Sequence, residues 1–180
     1  MKKILILCLA ICMFSSCYAQ QIIRAGIYEF NGKRFKVKDL DFKSYNGKNI
    51  IIIGNPDYKY QNTPPPLPKV EHPFPMQKKD IQINNDKIRK IIFDVLKENL
   101  EKLKKNDENI SLSFDLSQNG QILSIGYSLN QKTFISIEDI AEIDKRIKDE
   151  IKVNFTGTDY LQYDVISYSM PTILFSKIEL

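Results

Sequence analysis

The chain has 180 residues, 43% of them hydrophobic and 27% charged, which is enough for one domain with a real core and too apolar for wholesale disorder. Its net charge of +4 is too mild for a nucleic-acid binder. One His, no Trp and three Cys exclude most thiol, metal and triad chemistries, and no apolar run reaches the roughly 18–20 residues of a membrane-spanning helix.

The first residues read as an address. Lys2 and Lys3 form a basic start, Ile4 to Phe14 an apolar stretch, and small and polar residues follow from Ser15, the layout of a bacterial secretory signal peptide. Two cleavages compete. Signal peptidase I would cut after Ala19, with Cys17 at −3, and leave Gln20 first. Alternatively, Phe14-Ser15-Ser16-Cys17 is a degenerate lipobox and Cys17 carries lipid, which would hold the protein on a membrane surface without a spanning helix. Phe14 in place of Leu weakens the lipobox, so the flanks favour the free product. Cys8, Cys12 and Cys17 all lie here, so the mature chain has no thiol for disulfides or zinc, and burial alone must stabilise it. The expected location is the periplasm or cell envelope.

Residues 20–55 read as a β-rich segment. Asn31-Gly32 is a two-residue hairpin turn that places Tyr28 across from Phe35 and Glu29 across from Arg34. Tyr45-Asn46-Gly47-Lys48 repeats the turn ahead of Ile50-Ile51-Ile52-Ile53, a β-branched run stopped by Gly54. About forty residues make a small core, so this meander should lean on the second half. Seven of the eight prolines fall between Pro56 and Pro75, which makes residues 56–80 a semi-rigid connector of polyproline type.

Residues 81–180 carry the clearest patterning. After Asn84-Asn85-Asp86, the residues Ile88, Ile91, Ile92, Val95, Leu96, Leu100 and Leu103 mark one helical stripe. Ile110 to Leu116 alternates strictly, and a type I′ turn at Asn119-Gly120 would pair Leu116 with Leu123, Phe114 with Ile125, Leu112 with Tyr127 and Ile110 with Leu129. Ser136 and Asp139 open a second helix with a capping box, striped by Ile140, Ile143, Ile147 and Ile151. Tyr163 to Phe175 is a closing β run whose Pro171 must lie at an edge or bulge. The order α-β-β-α-β predicts an α+β domain with two helices on one face of a small antiparallel sheet.

That order, with Phe114, Leu116, Gly120 and Ile122 at the hairpin and Val165, Ser167, Tyr168, Met170, Pro171, Ile173 and Phe175 at the closing strand, resembles the C-terminal domain of TonB-like proteins. The resemblance covers about residues 85–175. Its matching positions form the fold rather than a chemical site. A TonB energy transducer keeps an uncleaved anchor and a long linker, whereas this leader is cleavable and this linker short. The resemblance therefore implies a fold and an envelope setting, not energy transduction. The chain as a whole resembles small exported proteins of Bacteroides-type bacteria.

Catalytic, cofactor and metal sites are expected to be absent. His72 stands alone in the connector, a poor scaffold for a triad or for the three or four ligands of a zinc site. Glu138, Asp139, Glu142, Asp144, Asp149 and Glu150 interleave with Lys145, Arg146 and Lys148 at helical spacing, which reads as a solvated face. Residues 22–63 carry a net +4 and residues 110–180 a net −4, which suits a basic meander docked on an acidic domain.

The leading expectation is a non-enzymatic, exported binding or adaptor protein with no nucleic-acid partner. The alternatives are a periplasmic hydrolase built on a carboxylate pair and a structural lipoprotein anchored through Cys17. An envelope protein or peptide would bind by strand addition at the edge of the closing strand, with Tyr163, Val165, Ser167 and Tyr168 as candidate residues. Period 2 sets Tyr163, Val165, Ser167 and Ser169 on one side and Asp164, Ile166, Tyr168 and Met170 on the other. A competing expectation, favoured by four β-branched residues short of a core, is that Ile50–Ile53 already pairs with that edge.

Overall fold

The computed structural model describes residues 20–43, 47–61, 63–66, 68 and 78–178. Cys17, Tyr45, Asn46 and His72 lie outside the described residues. The N-terminal hairpin forms as its turn dictates. Asn31 and Gly32 take φ of +50° and +71°, the left-handed pair that twists with its flanking strands. They join β2 (Gly26–Phe30) to β3 (Lys33–Lys43), with Tyr28 opposite Phe35 and Glu29 opposite Arg34. β4 (Asn49–Gly54) returns antiparallel to β3 through a bulge between Asp39 and Lys43.

In the second half the long apolar stripe is divided between two helices, α1 (Asn85–Leu96) and α2 (Leu100–Lys105). The break falls at Asn99, whose side-chain amide donates to the Phe134 carbonyl at 3.3 Å while its N–H turns back to the Leu96 carbonyl at 2.8 Å. An Asn committed outside the helix leaves the helical path, and Leu103 is still fully buried beyond it.

β6 (Asn109–Leu116) and β7 (Ile122–Asn130) pair as the alternation requires at Ile110–Leu129, Leu112–Tyr127 and Phe114–Ile125. The turn differs from the expected type I′. Gly120 is left-handed at φ +76° and Asn119 is not, so the loop is longer, and a bulge sets Leu116 against Ile122 instead of Leu123. No side chain fits at Gly120, because a Cβ there would lie 1.9 Å from the Val153 carbonyl oxygen.

α3 (Ile137–Glu150) opens with the capping box read from sequence. The Ser136 hydroxyl accepts from the Asp139 N–H at 3.0 Å and the Asp139 carboxylate from the Ser136 N–H at 2.8 Å. Two small ladders tie the ends down. β1 (Gln21–Ile22) pairs with β8 (Lys132–Thr133), and β5 (Ile81–Gln82) pairs with β9 (Asn154–Phe155). β10 (Ile166–Ser169) and β11 (Ile173–Leu174) both lie along β6, and exposed Pro171 stands in the gap between them, as its missing N–H demands.

The main sheet runs β10–β6–β7–β4–β3–β2, antiparallel throughout, with β11 also on β6. One face presents Phe35, Val37, Ile51, Ile53, Tyr127, Phe114, Ile166 and Tyr168 to the core, where α1 and α3 pack against each other. The expectation that Ile50–Ile53 covers the closing strand is overturned. Ile51 pairs with Leu129 and Ile53 with Tyr127, so β4 takes the far side of β7. There both isoleucines find full burial opposite large apolar partners. The β-rich segment and the second half thus share one sheet and one core, in a mixed α+β, mostly antiparallel fold. Basic and acidic halves meet as well, at the Lys33–Asp144 ion pair of 3.3 Å.

Candidate functional site

The closing strand lies at one edge of the sheet. The Met170 N–H donates to the Leu112 carbonyl at 3.0 Å, which makes Met170 a hydrogen-bonded partner of Leu112. By antiparallel alternation Tyr168 and Ile166 also turn their main chain to β6, while Ser167 and Ser169 turn theirs outward. Among the described residues no strand pairs with that outer side.

The sequence-derived residues land in different settings. Ser167 and Ser169 are exposed on the face away from the helices, where the Ser167 hydroxyl donates to Asp115 at 2.9 Å. Tyr168 belongs to the core, with its ring 6.1 Å from that of Phe114 and its hydroxyl accepting from the Asn85 amide at 2.7 Å. The expected alternation from Tyr163 begins only at Ile166, because Asp159–Gln162 form a 3-10 turn. Tyr163 closes that turn through its N–H to the Tyr160 carbonyl, and Val165 is buried in the bend before the strand.

Two buried acids escaped the sequence reading. The charge pattern predicts a solvated face for Asp144, yet its side chain is 5% exposed and is held by Lys33 at 3.3 Å and Lys148 at 3.1 Å. Its position was the available signal, since it lies on the Ile140–Ile147 stripe of α3. Beside it the Tyr127 hydroxyl is fully buried, and burial, then the Asp144 charge and hydrogen bonding to it, push its pKa well above the tyrosine range. A cavity of about 210 Å³ opens here, lined by Lys33, Arg34, Asp57, Asp144 and Lys148 among others.

Glu108 is the second, 1% exposed. The Thr133 hydroxyl, the Gln20 amide at 3.0 Å and the Phe134 N–H at 3.4 Å all donate to its carboxylate. Burial nevertheless raises its pKa above the glutamate range, against the downward pull of those donors and of Lys48. The partners of Asp144 and Glu108 share no residue, and each carboxylate is engaged in joining distant parts of the chain.

No family model and no curated protein matches the chain. Among solved structures, a DUF5043 family protein from Bacteroides uniformis ATCC 8492 is similar, with a TM-score of 0.63 and 11% identity over 87% of this chain and 88% of that one. At that identity the likeness is one of fold, and it spans nearly the whole of both chains.

Proposed function

We propose that this protein is an exported, non-enzymatic adaptor of the bacterial cell envelope that captures an extended segment of a partner by strand addition along β10. The observation that carries this reading is the outer side of β10, where the main chain of Ser167 and Ser169 faces away from the sheet beside no other described strand. Unpaired N–H and C=O groups on an edge are a ready template for another strand. TonB-like C-terminal domains, which the α-β-β-α-β portion resembles, use an edge of this kind to capture a short segment of a partner, and that resemblance supports the reading. The basic and apolar leader supplies the envelope address.

The test is in-cell photo-cross-linking. A photoreactive residue at Ser169 should give a discrete adduct, and one at Ile27 on the opposite edge should not. Ser167→Pro removes one outward N–H without touching the β6 ladder, so the fold should survive while the adduct disappears. An adduct that persists in Ser167→Pro would exclude strand addition.

A further inference from the structure

α1 follows the same edge. Asn85, Arg89 and Phe93 recur at four-residue spacing on one side of that helix. Asn85 meets the Tyr168 hydroxyl on β10, and the Phe93 ring lies 6.4 Å from that of Phe175, just past β11. Helix and edge therefore run side by side from β10 to the end of β11. Near Phe93 they part around a cavity of about 340 Å³, lined by Arg89, Phe93, Ile173, Leu174, Lys177 and Ile178 among others. Its chemistry is two-part. Phe93, Leu174 and Ile178 are only half-buried and leave apolar surface at the opening, while Arg89 and Lys177 supply cations. Lys177 makes no ion pair among the described residues. Among the described residues the ion-pair partner of Arg89 is Asp86, which is 92% exposed, and an exposed pair of that kind is readily exchanged for another carboxylate.

We infer that the segment added along β10 is acidic and amphipathic, with an apolar side chain that enters the cavity between α1 and β11 and a Glu or Asp two residues away that pairs with Arg89 and Lys177. Side chains two apart in an added strand point to the same face of the sheet, so one extended segment can present both groups to the helix side. The cations select the acid, the apolar lining selects its neighbour, and the main chain of β10 supplies sequence-independent affinity. This inference rests on the strand-addition reading above.

The probe is a library of acetylated, amidated heptapeptides with Thr at alternate positions and all common residues at the others. It is selected against the protein produced from its full-length sequence, leader included. Capping both ends removes terminal charges, so an acidic preference must come from side chains. The selected peptides should pair an aliphatic or aromatic residue with Glu or Asp two positions on. Exchange of that Glu for Gln should weaken binding about tenfold, as loss of a charge-assisted hydrogen bond does. Lys177→Glu, a change on an exposed side chain, should turn the preference from acidic to basic peptides. Binders that are lost in Ser167→Pro but show no acidic preference would overturn this inference and leave strand addition standing. No binders, or binders indifferent to Ser167→Pro, would overturn both.

Discussion

Glu108 shows how one buried side chain can set the pH response of a fold. Its carboxyl holds a proton more tightly in the folded chain than in the unfolded one, because burial outweighs the donors around it. Between the ordinary glutamate value and the raised folded value, the folded state therefore binds more protons than the unfolded state. Its contribution to stability is fullest below the ordinary value, falls as pH rises through the raised one, and is level beyond. Urea unfolding of the parent and of Glu108→Gln from pH 4 to 8 checks this. The stability of the parent minus that of the variant should decline with rising pH across the window. A difference that grows with pH would mean that the hydrogen bonds from Thr133, Gln20 and Phe134 dominate after all. Glu108 could not be ranked from sequence, since its carboxylate is met by Gln20, 88 residues away, whereas Asp144 is marked by its place on the apolar stripe of α3 although its partner Lys33 lies 111 residues away.

At the scale of the element, what the sequence made legible was local. The Asn31-Gly32 turn and the Ser136 capping box follow from neighbours within a few residues, and three of the four expected β6–β7 pairs follow from strict alternation on either side of one turn. The cap can be tested in isolation. Ser136→Ala should lower stability by about 1 kcal/mol in urea unfolding, and Ser136→Asp should recover most of the loss. An unchanged midpoint in Ser136→Ala would mean that packing of Ile140 and Ile147 alone holds the start of α3. Where the reading failed, a distant partner had intervened. Asn99 leaves the helix for the Phe134 carbonyl, and the turn at Gly120 is shaped by the approach of Val153. The candidate edge was legible as a β run with a proline, but its starting residue was not, because nothing in the period announces the 3-10 turn at Asp159–Gln162.

For the whole molecule the decisive fact is which side of the hairpin receives β4. Periodicity shows that Ile50–Ile53 is a strand and is silent on its neighbour, and the neighbour determines both the unity of the core and the freedom of β10. Because β4 joins β7, the N-terminal meander and the helical half should unfold together. Ile53→Ala should lower stability by about 3 kcal/mol. It should also speed exchange of the slowest amides of β3 and of α3 by the same factor, read by native-state hydrogen exchange. Faster exchange confined to β3 would show two independent units. Pro171 has a further consequence for life in a crowded compartment. It divides the outer margin into a four-residue and a two-residue stretch, so identical molecules meeting there find too little unbroken ladder to zip into fibres. On the strand-addition reading proposed above, the same interruption would cap the grip on a captured segment and favour an attachment made and released rather than one held for good.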